Sequence, residues 1–144
     1  MRKIACIFIL FVGSGCYPHG ISKDVRQQSI EILEEAGYEL GKSGDRITVI
    51  QARGLKVTDE NVYRMCNIQE LKKIYFIHSV LVQGAVARLA NCLHLATITY
   101  ENASTLPLEE IPDHDGIPNL DNIIFLGPDY GDAIMPYLAR LSNV

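Results

Sequence analysis

Leu71-Lys72-Lys73-Ile74-Tyr75-Phe76 carries apolar side chains at its first, fourth and sixth places. The same spacing occurs at Ile47, Ile50 and Ala52, at Leu95, Ile98 and Tyr100, and at Leu120, Ile123 and Phe125. Successive copies lie 24, 24 and 25 residues apart, and three places before each stand Gly44, Ile68, Cys92 and Ile117. A pattern returning at an interval of this size means one supersecondary unit used several times, each covering its neighbour's apolar side. Within a copy the alternation predicts a short strand, its anchors pointing inward and the residues between them outward.

The connecting segments carry independent information. Ten places after each first anchor stand Val57, Leu81, Thr105 and Tyr130; fifteen after, Val62, Val86, Glu110 and Met135; eighteen after, Met65, Leu89, Asp113 and Leu138. Units one, two and four keep all three places apolar, which predicts a return segment packed on the sheet. Unit three departs: one inserted residue brings Ile111 to the place of Glu110, and Pro112-Asp113-His114-Asp115-Gly116-Ile117-Pro118-Asn119 follows. Two prolines and a glycine stop a helix there, so a loop is expected. In unit one, Thr58 or Asp59 can cap the return helix, with Glu60 near its positive end.

These cores, together with Val57-Thr58-Asp59-Glu60-Asn61-Val62 and Gln83-Gly84-Ala85-Val86, resemble the leucine-rich repeat family, and within it a bacterial subgroup with a V-T-D-E-G-L turn. The resemblance covers residues 45–144. It implies an α/β solenoid of about four strand-plus-helix units with a parallel sheet. Family members often place Asn or Cys eight residues after the first anchor; here stand Leu55, Ser79, Ala103 and Pro128. No asparagine ladder is then expected, and the turn layer should rest on apolar packing.

At the other end, Arg2 and Lys3 precede an apolar run from Ile4 to Val12 and then Gly13-Ser14-Gly15-Cys16. A positive start, a short apolar core and small residues read as a secretory signal over residues 1–15. Nine apolar residues make only about 14 Å of helix, roughly half of a bilayer core. Ser14-Gly15-Cys16 resembles the end of a bacterial lipobox, which implies acylation of Cys16; ordinary cleavage near Gly15 is the competing reading. Residues 16–21, with Pro18 and Gly20, read as a tether. Ser22 then caps an amphipathic helix containing Val25, Ile32, Leu33 and Ala36, with Glu31, Glu34 and Glu35 on its other side. Residues 22–42 are thus expected to be a helical cap on the first unit, within a domain spanning 22–144.

The chain has 144 residues, 48% of them hydrophobic, enough for one domain. Loss of Arg2 and Lys3 with the signal takes its formal charge from −4 to −6. An acidic chain without a basic patch argues against nucleic acid as partner. Asp113-His114-Asp115 is the one cluster with metal-ligand character, but neighbours rarely all reach one ion, and a solvated turn is the plainer reading. His19, His78 and His94 have no nucleophile or phosphate-cradling glycine loop beside them, so no enzyme, cofactor or metal is expected. Of four cysteines, Cys6 lies in the signal and Cys16 in the lipobox. Export would permit a Cys66–Cys92 bridge. Cys92, however, shares its place with Ile68 and Ile117, and the reading taken is two free core thiols. Asn102-Ala103-Ser104 matches a glycosylation acceptor, a coincidence of composition in a bacterial chain.

Outward strand residues should form columns: Val49, Lys73, Thr97, Asn122; Gln51, Tyr75, Thr99, Ile124; and Arg53, Ile77, Glu101, Leu126. Tyr75, Ile77, Ile124 and Leu126 are apolar where a solvated sheet would be polar, the usual mark of a protein contact. A flanking segment covering them is the equal alternative. The expected function is an exported, lipid-anchored, non-catalytic protein-binding module at the cell envelope. Its site would be Gln51, Arg53, Lys73, Tyr75, Ile77, Thr99, Glu101, Asn122, Ile124 and Leu126. The last strand, Asn122 to Leu126, offers an open edge for self-association. The competing class is a small envelope hydrolase or metal-dependent enzyme using Asp113, His114 and Asp115.

Overall fold

A computed structural model describes residues 21–103 and 116–127. Among them helix α1 spans Lys23–Glu35 and begins where Ser22 Oγ accepts a hydrogen bond from the Val25 N–H, at 3.2 Å. It buries Ser29, Ile30 and Leu33 and leaves Glu31, Glu34 and Glu35 exposed. The expected helical cap to residue 42 is too long. The chain turns at Gly37, φ +91°, where the left-handed backbone suits glycine. Strand β1 (Glu39–Ser43) then pairs antiparallel with β2 (Arg46–Arg53) across Gly44-Asp45. Gly44, at φ +62°, is the residue a two-residue hairpin loop requires. It therefore does a different task from Ile68, Cys92 and Ile117, which are buried.

After β2 come β3 (Lys56–Val57), helix α2 (Asp59–Cys66), β4 (Lys73–Ile77), β5 (Val80–Leu81), helix α3 (Ala85–Arg88), β6 (Thr97–Glu101) and β7 (Asn122–Leu126). The main sheet is open, in the order β1-β2-β4-β6-β7, and every pair after the first is parallel. Ile50 pairs with Ile74, Ile74 with Ile98 and Ile98 with Ile123, so the 24- and 25-residue steps of the sequence are the register of the sheet. Chain order and spatial order agree along it. The fold is mixed α/β with a mostly parallel sheet.

The inward rows form one core. Ile50, Ile74 and Ile98 are fully buried, and in the next row Ala52, Phe76 and Tyr100 are likewise. Phe76 and Tyr100 stack with ring centroids 5.5 Å apart, Tyr100 and Phe125 at 5.1 Å. Such pairs contribute about 0.5–1.5 kcal/mol beyond their buried area. From the return segments Val57, Leu81, Val62, Val86, Met65 and Leu89 complete the core. Thr105, Glu110, Ile111, Tyr130, Met135, Leu138 and Pro128 lie outside the described residues.

Helix α2 is closed by a capping box: Thr58 Oγ1 accepts from the Asn61 N–H at 3.2 Å, and Asn61 Oδ1 from the Thr58 N–H at 3.0 Å. Helix α3 has only four residues before a tight turn at Leu89–Asn91, since Gly84 before it has no side chain to cap with. Cys66 and Cys92 are joined as a disulfide, which corrects the expectation of free thiols. Burial and bonding are compatible here: Cys92 is 3% exposed and sits in the apolar slot, yet that slot lies beside the C-terminus of α2. The turn layer is also not purely apolar. The fully buried Ser79 donates to the Ala52 carbonyl at 2.9 Å and accepts from the Leu55 N–H at 3.3 Å, bridging neighbouring units.

Immediately after each parallel strand the backbone becomes left-handed, at Gly54, His78, Asn102 and Gly127. There the Gly54, His78 and Asn102 N–H groups donate to the carbonyls of Ile77, Glu101 and Leu126, each at 2.8 Å. Glycine adopts this conformation freely and asparagine tolerates it, whereas a β-branched residue does not. Replacing His78 with Val is expected to cost about 1–2 kcal/mol. His78→Gly should remain within about 1 kcal/mol of the parent, the two compared by urea denaturation.

Helix α1 is tied at two heights to the segment between α2 and β4. Its Asn67 contact is buried, with Asn67 Nδ2 donating to Ser29 Oγ at 3.0 Å. One turn earlier, Arg26 pairs with Glu70, both half-buried. Burial alone would raise the Glu70 carboxyl, but hydrogen bonds from Arg26 and from the Glu70 and Ile47 backbones, with the Arg26 charge, hold it below the ordinary carboxylate range. A carboxyl lowered by folding contributes stability above its unfolded pKa of about 4.3 and loses it as pH falls through the folded value. Glu70→Gln should accordingly flatten the acid side of the stability-against-pH curve below about pH 4.3, as read from urea midpoints.

Candidate functional site

The outward face of the main sheet carries every side chain of the expected strand-face site, because successive strand residues alternate sides. Register sets Gln51, Tyr75, Thr99 and Ile124 in one row and Arg53, Ile77, Glu101 and Leu126 in the next. They do not share one exposure. Ile77 and Thr99 are buried, at 5% and 2%, and offer a partner no surface. Gln51, Tyr75 and Glu101 are half-buried. Arg53, Lys73, Asn122, Ile124 and Leu126 are exposed. The exposed apolar part of the face therefore lies at β7, where Ile124 is 40% and Leu126 48% exposed. Thr99 Oγ1 is buried in the middle of the face without a hydrogen-bond partner.

The opposite border of the face is polar. Strand β1 adds Glu39 beside Gln51; Gln51 Nε2 donates to its carboxylate at 3.3 Å, and Arg53 Nε lies 3.9 Å from it. Both partners of that ion pair are more than half exposed, so it orients side chains and contributes little energy. The side of the sheet to which these residues point was legible from period-two alternation. The contribution of Glu39 was not, since β1 belongs to the hairpin that the 24-residue interval does not contain.

Elsewhere the chemistry is sparse. The Tyr38 hydroxyl is buried without a hydrogen-bond partner, and burial pushes it up to about 12, so it stays protonated. His78 and His94 are exposed. Among the described residues no three His, Cys, Asp or Glu side chains converge to hold a metal ion, and no helix is long and apolar enough to cross a membrane. Cys16, the residues before Ile21 expected to form a signal and tether, and the Asp113-His114-Asp115 cluster lie outside the described residues. Comparison with family models, with curated proteins and with solved structures finds no match to this chain.

Proposed function

We propose that the chain is a leucine-rich-repeat-like solenoid, exported and anchored through an acylated Cys16, that binds a protein ligand at the bacterial cell envelope without catalysing a reaction. The observation that carries this reading is the unshifted parallel register of β2, β4, β6 and β7 at 24, 24 and 25 residues. Identical backbone turns recur with it: the N–H groups of Leu71, Leu95 and Leu120 donate to the carbonyls three residues earlier. Solenoids of this type most often act by offering their strand face to another chain, which is a fold-level argument for binding. The Cys66–Cys92 bridge supports export, since disulfides persist in oxidising compartments.

The ligand would meet Tyr75, Asn122, Ile124 and Leu126. A photo-crosslinker at Asn122, exposed on the same face, should give a discrete adduct in the envelope, and one at Tyr63, on the outer side of α2, should not. Ile124→Asp with Leu126→Asp should abolish the adduct while leaving the fold intact, both sites being exposed. Equal adducts from both positions, or a double variant that still forms the adduct, would count against the face. The mass of the mature N-terminal peptide tests the anchor separately. A strict monomer by light scattering at high concentration would remove pairing through the β7 edge.

A further inference from the structure

The two ends of the parallel strands differ in charge. Where the strands begin, Lys23, Lys42, Arg46, Lys72 and Lys73 are all exposed, and none has an ion-pair partner among the described residues. Arg46 opens β2, Lys73 opens β4 with Lys72 just before it, and Lys42 lies beside them because β1 runs the opposite way. Asp24, Asp45 and Asp121 stand at the same end, and Glu70 is neutralised by Arg26. Where the strands finish, Glu34, Glu35, Glu39, Asp59, Glu60 and Glu101 dominate. Their cations are largely engaged, with Arg53 on Glu39, Arg64 on Glu60 and Arg88 on Asp59.

Helix α1 fixes where the chain enters. Its first turn is at the strand-start end, since Arg26 meets Glu70 just before β4. Its last turn is at the other end, since a Cβ on Gly37 would lie 3.6 Å from Leu55, just beyond β2. Only five residues separate Ser22 from Cys16, a reach of about 20 Å over six steps at full extension. A lipid on Cys16 therefore holds the basic end toward the bilayer. The acidic end is about 26 Å away along the eight residues of β2, roughly three screening lengths at physiological salt. Local charge, not the net charge of the chain, then decides how it meets the surface.

We propose that this basic end is a membrane-facing surface on which Lys23, Lys42, Arg46, Lys72 and Lys73 seat against anionic lipid headgroups. The proposal rests on the anchoring reading above, and it turns the strand face sideways, parallel to the membrane normal and open to a partner. A basic patch adds electrostatic attraction to the hold that the lipid supplies.

The test is a partition experiment. Mature protein is mixed with two separable vesicle populations, phosphatidylcholine alone and phosphatidylcholine with phosphatidylglycerol. Acyl chains enter both alike, so the ratio between populations reads the charge contribution. Each surface cation is worth about fivefold at an anionic membrane. The triple variant Arg46→Gln, Lys72→Gln, Lys73→Gln should thus lower the ratio on the order of a hundredfold, and salt should do the same to the parent. Lys56→Gln, at the opposite end, should leave it unchanged. An equal ratio for parent and triple variant, or an equal loss with Lys56→Gln, overturns the proposal even if peptide mass confirms acylation. A charge-selective ratio with an unacylated N-terminus would support the basic surface and remove the anchor.

Discussion

Replacing Cys66 and Cys92 together by alanine, or reducing their bridge, is expected to lower stability by about 3–4 kcal/mol at 25 °C. The bridged residues are 26 apart, and closing a loop of that length removes this much conformational entropy from the unfolded chain. Urea denaturation with and without a dithiol reductant checks it: the parent should shift, the double variant should not. A shift below about 1 kcal/mol would mean that the thiols are not joined in the folded protein. The bridge ties the end of α2 to the segment after α3, which has four helical residues and no side-chain cap. Amide exchange should therefore quicken first around residues 85–95 on reduction, before β2 or β4 is affected.

Tyr100→Ala is expected to cost about 3–5 kcal/mol, a large part of the 5–15 kcal/mol that such domains possess. Tyr100 is 1% exposed and has Phe76 against one side and Phe125 against the other, so its removal leaves a cavity that neither ring can refill. Tyr75, one strand away and on the opposite face, is half-buried, and Tyr75→Ala should cost about 1 kcal/mol or less. Similar losses for both would contradict the alternation of inward and outward rows. A double-mutant cycle between Phe76 and Tyr100 should return about 0.5–1.5 kcal/mol of coupling, the worth of the stacked pair.

The rungs of the sheet were legible because inward anchors repeat at a constant interval and must face one another to be buried. What escaped belongs to features that this interval does not encode. Strand β1 occurs once, and its signal was the local Gly44-Asp45 turn, which competed with reading Gly44 as the first member of a repeated slot. Positive φ after each strand is held by Gly54, His78, Asn102 and Gly127; the first three are alike in φ, between +46° and +64°, but not in residue type, and Gly127 lies apart at +137°. Ser79 supplies the cross-unit hydrogen bonds that its neighbours Leu55 and Ala103 cannot make with their side chains. Cys92 fits its apolar slot equally well as a thiol or as half of a bridge, so slot-matching alone could not decide. On the candidate face, side-chain direction followed from alternation, but the burial of Ile77 and Thr99 depends on what surrounds them in space.

Hairpin β1–β2 gives the ladder a polarity. A duplicated stretch of two dozen residues could be accommodated anywhere from β2 onward, because every junction there joins strands of the same direction. Before β2 it would meet a strand of opposite sense. Lengthening by tandem duplication is thus one-sided in this fold, and variants differing in unit number should keep the hairpin and α1 unchanged while the ladder grows away from them.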